Sequence, residues 1–208
     1  MLSGNRVLVL SPHTDDGEFG CGGTIAKFIK EGKEVHYVAF SIAEDSVPDP
    51  FPKDTLRTEV KRATAILGIT NLEIYRYEVR RLAEHRQLIL EDLVILNKEI
   101  HPDIVLMPSL NDIHQDHATV AAEGLRAFKK KTILCYELPW NNLNFTNSCF
   151  VRFGEEELTK KINAMACYKS QAHKGYASPE FIRSLAVTRG TQIGGGLAEV
   201  FEVLRLVI

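Results

Sequence analysis

Two short segments of this sequence concentrate histidine and aspartate, the residue types that hold metal ions and move protons in enzymes. In residues 11–24 a histidine lies just before two adjacent aspartates, and in residues 111–117 two histidines flank another aspartate. Histidine and aspartate together suit a borderline cation such as Zn²⁺, with one coordination position left open for water. The candidates for ligation or proton transfer are His13, Asp15, Asp16, His114, Asp116 and His117. Residue type and spacing do not select the ligands among them.

Each of the two segments directly follows an apolar run that predicts a buried strand, residues 7–10 for the first and residues 104–108 for the second. Ligands of open α/β sheets bind at the carboxyl ends of the parallel strands. Aspartates in loops often only cap helices or form turns, and that alternative applies to either segment by itself. Two such clusters, each just past a strand, favour one shared metal site at the sheet edge.

Apolar runs alternate with amphipathic segments along the chain, which is typical of βα units and a mostly parallel sheet. The predicted strands cover residues 7–10, 35–40, 72–77, 104–108, 132–136 and 201–208. The predicted helices cover residues 24–33, 54–68, 88–100, 117–128 and 155–170. We therefore expect an α/β fold, with residues 1–208 forming a single three-layer α/β/α domain around a mostly parallel, Rossmann-like sheet.

The composition argues against several classes of partner. With 208 residues, 45% hydrophobic content and a net charge of −2, the chain is long enough for one buried core and carries no polyanion-binding signature, so we expect no nucleic-acid partner. No apolar segment approaches the about 20 residues that a membrane helix needs, and no signal-peptide pattern is present. The cysteines form no Cys-x-x-Cys pair, which favours free thiols and a cytoplasmic location. Cys21, close to the first cluster, is expected to pack in a turn rather than to bind metal.

The two clusters and several flanking motifs resemble the PIG-L/LmbE-like family of zinc-dependent deacetylases. The resemblance is carried by Pro-His-Thr-Asp-Asp at residues 12–16, Gly-Cys-Gly-Gly-Thr at residues 20–24 and His-Gln-Asp-His at residues 114–117. It covers nearly the whole chain, with supporting matches at residues 56–59, 168–171 and 198–201. The sequence departs from the family's usual Pro-His-Pro-Asp-Asp-Glu at Thr14 and Gly17, and Glu18 follows instead.

The resemblance, and not the spacing, assigns roles within the clusters. It implies that His13, Asp16 and His117 bind Zn²⁺, that Asp15 is the general base and that a protonated His114 is the acid and oxyanion partner. Three protein ligands leave a position for water, whose pKa the metal lowers towards about 7. Because His/Asp sites accept several divalent ions, another metal such as Fe²⁺ fits the same ligands.

Three further residues near these motifs have roles that are less direct. Asp116 is expected to orient a ligand rather than to bind the metal itself. Family resemblance assigns Arg57 to substrate binding, and a structural salt bridge with Glu59 at the helix start is the alternative. The loops at residues 41–54 and 140–146 are expected to cover and select the substrate.

The resemblance implies hydrolysis of the N-acetyl amide of an N-acetylglucosamine-type amino sugar or its conjugate, a small-molecule partner. A related amidase acting on a larger acyl group or on a sugar-thiol conjugate is one alternative. A non-catalytic protein that binds a nucleotide is another, disfavoured because Ile25 occupies the third glycine position of Gly-x-Gly-x-x-Gly. Similar proteins are often multimeric, so the resemblance also implies self-association into a homo-oligomer.

Overall fold

The computed structural model describes residues 4–207, whose strands are all joined in one sheet. The strands are β1 (Arg6–Ser11), β2 (Glu34–Ala39), β3 (Asn71–Ile74), β4 (Ile104–Pro108), β5 (Thr132–Tyr136), β6 (Cys149–Phe153) and β7 (Leu197–Arg205). Their order across the sheet is β3-β2-β1-β4-β5-β7-β6. The first five strands pair in parallel, while β7 runs antiparallel to both β5 and β6. The mostly parallel sheet predicted from the sequence is therefore confirmed.

Helices cover both faces of this sheet. They are α1 (Asp16–Lys30), α2 (Thr55–Leu67), α3 (Arg86–Ile100), α4 (Gln115–Ala127), α5 (Glu155–Met165) and α6 (Pro179–Thr191). The alternating side chains of β1 show the layering, because Val7 and Val9 pack in a cluster with α1, α2 and α5, whereas Leu8 and Leu10 pack in a second cluster with α3 and α4. Burial on both faces explains why the central strands are uninterrupted apolar runs. None of the helices in residues 4–207 is long and apolar enough to cross a membrane.

Helix α1 begins at Asp16, eight residues earlier than the sequence pattern predicts. The glycine-rich stretch that indicates a turn is helical, with a kink where Cys21 adopts φ −146° and ψ 23°. Small residues are needed there because the helix lies directly against buried rings. A Cβ atom added to Gly17 would lie 2.6 Å from the Tyr37 ring, and one added to Gly20 would lie 2.3 Å from the Tyr136 ring.

Other boundaries also differ from the sequence prediction. The pattern misses the edge strand β6 and the whole of α6, and it extends α5 five residues too far. Strand β3 ends at Ile74 rather than at residue 77. The last strand begins at Leu197 instead of residue 201, and the predicted end at residue 208 lies outside the described residues.

Candidate metal centre and catalytic site

The two histidine–aspartate clusters meet at the carboxyl edge of the sheet. His13, Asp15 and Asp16 lie between β1 and the start of α1, and residues 112–117 lie between β4 and the first turn of α4. Strands β1 and β4 are parallel neighbours. Strand β2 lies on one side of β1 and β4 lies on the other, so the strand order reverses between β1 and β4. The crevice between β1 and β4 is therefore the topological switch point of the sheet. This is the position at which α/β folds bind ligands.

Three side-chain atoms of these clusters form a nearly equilateral triangle. His117 Nε2 lies 3.1 Å from His13 Nδ1 and 3.2 Å from Asp16 Oδ2, and the latter two atoms are 3.3 Å apart. Ligand bonds of about 2.0–2.2 Å in a tetrahedral zinc site place the ligand atoms about 3.3–3.6 Å from one another. The residues present therefore fit one face of a zinc tetrahedron, whose fourth position faces away from the three side chains.

His114 could replace Asp16 as the third ligand, because one ring nitrogen from each of His13, His114 and His117 lies within 4.8 Å of the others. However, His114 is the N-cap residue of α4, and its Nδ1 accepts a hydrogen bond from the Asp116 amide at 3.2 Å. Asp16 Oδ2 lies 3.3 Å from His13 Nδ1 and 3.2 Å from His117 Nε2, the spacing of ligand atoms in a tetrahedral site. We therefore favour Asp16 as the third ligand and place His114 beside the metal position.

Each candidate histidine ligand is held by a buried carboxylate on its other nitrogen. Asp112 Oδ2 lies 2.8 Å from His117 Nδ1, and Asp116 Oδ2 lies 3.0 Å from His13 Nε2. Such outer carboxylates fix ring orientation and raise ligand basicity. The arrangement matches the orienting role expected of Asp116. Asp112, which is not among the candidates named from the sequence, also accepts a hydrogen bond from the His114 amide at 2.9 Å.

The electrostatics of this cluster favour a bound cation. Burial alone would lower the pKa of His117, but the carboxylates of Asp16 and Asp112 outweigh burial and raise it to about 10. Burial would raise the pKa of Asp16, but His117 and His13 hold it well below its usual value. The carboxylates that stabilise positive charge on the rings would equally stabilise a divalent ion in the triangle.

Asp15 and His114 line a cavity of about 160 Å³ beside the triangle. Burial raises the pKa of Asp15, and Lys174, whose Nζ lies 3.9 Å from Asp15 Oδ2, opposes that rise. Burial and the neighbouring histidines lower the pKa of His114 to about 4. The neutral ring is thus favoured at pH 7 over the imidazolium expected from the sequence. Since Nδ1 accepts a backbone hydrogen bond, the neutral ring carries its proton on Nε2.

The structure does not bring every predicted residue to the cavity. Arg57 is exposed on α2 and is not one of the described residues that line the cavity. Glu59 is buried, and its carboxylate accepts hydrogen bonds from the amide and hydroxyl groups of Ser170 rather than pairing with Arg57. Cys21 is fully buried, and its thiol donates to the Gly17 carbonyl at 3.2 Å. The packing role expected of Cys21 agrees with this environment.

The two predicted substrate loops and two further segments complete the cavity. The sequence alone assigned no role in the site to these two segments. Residues from both predicted substrate loops line it, and Trp140 of the second loop stacks on Tyr176 with 3.7 Å between ring centroids. Segments 79–80 and 171–176 contribute the cationic side chains Arg80 and Lys174. The only sequence signal for the latter segment was the Tyr-Lys-Ser-Gln match at residues 168–171, which ends just before Lys174.

Comparisons with known proteins agree with this architecture. A family model described as PIG-L, GlcNAc-PI de-N-acetylase, matches residues 8–128, which contain both clusters. The uncharacterized deacetylase YaiS of Escherichia coli is 27% identical over 172 residues, covering 79% of this chain and 90% of that protein. The diacetylchitobiose deacetylase of Thermococcus kodakarensis is 31% identical over 130 residues, covering 59% of this chain and 48% of that protein.

Solved structures share the fold across almost the whole chain. The N,N'-diacetylchitobiose deacetylase of Pyrococcus horikoshii superposes with a TM-score of 0.81 at 22% identity, covering 97% of this chain and 84% of that one. GalB, the 4-carboxy-2-hydroxymuconate hydratase of Pseudomonas putida, superposes with a TM-score of 0.79 at 20% identity, covering 98% of both chains. Because this one fold serves a deacetylase and a hydratase, the chemistry depends on the residues of the site and not on the fold.

Proposed function

Because the chain belongs to the PIG-L family, we propose that it is a metal-dependent hydrolase that removes the N-acetyl group from an N-acetylglucosamine-type amino sugar or its conjugate. The observation that carries the proposal is the triangle of His13 Nδ1, Asp16 Oδ2 and His117 Nε2, which opens onto a cavity lined by a further carboxylate and a further imidazole. The names of the relatives support acetylated sugars as the substrate class.

A zinc ion held by His13, Asp16 and His117 would lower the pKa of a water molecule and polarise the acetyl carbonyl. The chain itself prepares these ligands. Asp112 and Asp116 fix the two imidazole rings through hydrogen bonds to the nitrogens that face away from the triangle. Other divalent ions suit the same donor set, so the native metal is to be identified by elemental analysis.

Asp15 has the properties of the general base. It lines the cavity next to a candidate ligand without belonging to the triangle, and burial raises the pKa of its carboxyl group, which brings it closer to an effective base. In the proposed reaction Asp15 accepts a proton from the water that attacks the amide carbon. It returns this proton to the departing amine nitrogen when the carbon–nitrogen bond breaks, and acetate and a free amino sugar are released.

His114 serves best as a neutral hydrogen-bond donor. Its Nδ1 is occupied by the Asp116 amide, so the Nε2–H group is the one available to the cavity. A fixed N–H donor stabilises the negative charge that develops on the carbonyl oxygen during attack, and a neutral imidazole can fill this role. His114 therefore acts as the oxyanion partner, and the proton for the leaving amine comes from Asp15.

The variant Asp15→Ala tests the general-base assignment. Its bound metal is measured by elemental analysis, and its activity is measured as acetate release from N-acetylglucosamine conjugates. Because Asp15 is outside the ligand triangle, the variant is expected to retain metal while losing roughly 10²–10⁴-fold in kcat, the usual contribution of a general base. Glu99→Ala is the matched control, since Glu99 is an exposed carboxylate on α3 and does not line the cavity. Unchanged turnover in Asp15→Ala would remove the base assignment.

Two further outcomes separate the alternatives. Wild-type protein that binds metal but releases only a larger acyl group, or acts only on a sugar-thiol conjugate, would identify the related amidase. Protein that binds no metal even after incubation with zinc would refute the hydrolase and leave the non-catalytic alternative.

A further inference from the structure

Arg80 on the rim of the catalytic cavity differs from its neighbours in lacking a carboxylate partner. Among the described residues, its guanidinium group has one side-chain partner, the Ser46 hydroxyl at 3.1 Å. The next residue, Arg81, is by contrast paired with both Glu78 and Glu84, at 3.0 and 2.6 Å. Arg80 thus lines the cavity with donors that no carboxylate among the described residues occupies, whereas Arg81 is paired with two carboxylates.

The position of Arg80 is fixed by the metal centre itself. Its backbone amide donates to Asp116 Oδ2 at 2.6 Å, and the same oxygen lies 3.0 Å from His13 Nε2. The backbone of Arg80 is thus joined to a candidate ligand through one carboxylate. From there its side chain extends to Ser46 in the loop at residues 41–54, so the guanidinium lies at the boundary between the cavity and that loop.

The chemistry of the guanidinium group indicates what it would bind. It carries five N–H donors in a planar fork that matches the two oxygens of a carboxylate or phosphate, and it stays charged at all relevant pH values. A single neutral hydroxyl satisfies only a small part of that capacity. Lys174 adds a second positive charge to the same cavity, and the stacked rings of Trp140 and Tyr176 form another part of its lining.

We propose that the cavity takes an amino-sugar substrate that carries an anionic group, a carboxylate or a phosphate, and that Arg80 holds this group. The inference rests on the proposed function, because it defines the substrate class of the same cavity. Arg80 is assigned as a specificity-determining residue. Lys174 strengthens the positive field, but its contact with Asp15 makes Arg80 the cleaner residue to test.

Binding has a readout separate from acetate release, because Trp140 is the only tryptophan of the chain and lines the cavity. Its fluorescence is followed on the metal-loaded protein during titration with three probes that differ at one position: the methyl glycoside of N-acetylglucosamine, its carboxymethyl glycoside and N-acetylglucosamine 1-phosphate. The wild-type protein is expected to bind one or both anionic probes roughly tenfold or more tightly than the neutral one, as charge-assisted hydrogen bonds allow. The better anionic probe identifies the chemistry of the group.

Arg80→Gln is expected to abolish this preference while leaving the affinity for the neutral probe within about twofold. Arg62→Gln removes the same charge from an exposed position on α2 that does not line the cavity, and it is expected to keep the preference. Ser46→Ala breaks the bond to the loop but leaves the guanidinium in place. It should also keep the preference if Arg80 contacts the anion directly.

Three results would overturn the proposal: equal affinities of the wild-type protein for all three probes, an equal loss for neutral and anionic probes in Arg80→Gln, or loss of the preference in Ser46→Ala. The last result would show that Arg80 acts by holding the loop. Acetate release tests the deacetylase proposal separately from the fluorescence titration, and the deacetylase proposal fails if no acetate is released. In that case an intact anion preference in the fluorescence titration would still support the Arg80 site.

Discussion

Changing Glu199 to glutamine tests what holds the kinked helix α1, which begins at the candidate metal ligand Asp16. The kink in α1 lies at Cys21, just before Gly23 and Thr24, and the Glu199 carboxylate accepts the amides of both residues, at 2.9 and 2.7 Å. The same carboxylate pairs with Lys161 Nζ of α5 at 2.7 Å, and the two side chains are only 6% and 5% exposed. Glu199 thus joins β7, α1 and α5, and α1 carries the candidate ligand Asp16 at its start.

The expected cost of Glu199→Gln follows from the burial of Lys161. Glutamine has nearly the same shape but no charge, so the ammonium group of Lys161 would remain buried without a counter-charge. Removing one partner of a buried ion pair typically costs about 3–5 kcal/mol of unfolding free energy. The Phe19 ring, whose centroid lies 5.2 Å from Lys161 Nζ, offsets part of this by a cation–π contact worth about 0.5–2 kcal/mol. A destabilisation of about 2–4 kcal/mol is therefore expected.

Urea unfolding of three variants measures this effect. The double variant Lys161→Met/Glu199→Gln is expected to recover part of the loss, because it removes the stranded charge and fills the same space. Lys30→Met is the matched control between the same two helices. Lys30 pairs with Glu156 and Glu157 at 2.6 and 2.9 Å, but its side chain is 55% exposed, so solvent screens the pairs and a much smaller loss than in Glu199→Gln is expected. A loss below about 1 kcal/mol in Glu199→Gln would refute the reasoning.

Two more changes are informative. Asp112→Asn removes the negative charge that holds the Nδ1 atom of His117, and it should weaken metal binding by about 10–100-fold. Competition with a chelating dye measures this affinity, and a wild-type value would contradict an orienting role for Asp112. Gly20→Ala should lower the unfolding free energy by about 1–3 kcal/mol, because its Cβ would meet the Tyr136 ring at 2.3 Å. Gly175→Ala, where a Cβ would have no neighbour within 4 Å, should change stability by at most about 0.5 kcal/mol in the same urea assay.

The sequence was most informative where one local pattern decides the structure. Strand β5 lies exactly at the predicted residues 132–136, and α4 begins within two residues of its predicted start. The convergence of the two clusters also follows from the sequence, because runs of apolar residues place each cluster at the end of a strand and parallel strands end on the same side. The early start of α1 could not be predicted in this way, because several nearby glycines indicate a turn unless Tyr37 and Tyr136 are known to lie against them.

The sequence pattern missed α6 and β6 for different reasons. The sequence does contain a start signal for α6, since Ser178 precedes Pro179, and in the structure the Ser178 hydroxyl accepts a hydrogen bond from the Phe181 amide at 3.1 Å. Its buried positions are few, however, so the apolar periodicity is weak. Strand β6 is a five-residue edge strand whose partner, β7, lies more than forty residues later. Its pairing depends on a contact that no local pattern encodes.

The division between ligands and orienting carboxylates depends on an equally distant contact. Asp116 lies between two histidines in the sequence, where it could equally be a ligand, but its carboxylate receives the amides of Arg80 and Leu82 at 2.6 and 3.2 Å. That segment, some thirty-five residues earlier in the chain, thereby fixes Asp116 behind His13 and away from the triangle. In the proposed site Arg80 has two separable functions, because its backbone amide holds Asp116 beside the candidate ligand His13 and its side chain would hold the anionic group of the substrate. Replacing the side chain leaves the amide in place, which is why Arg80→Gln should alter the choice of substrate without altering metal affinity.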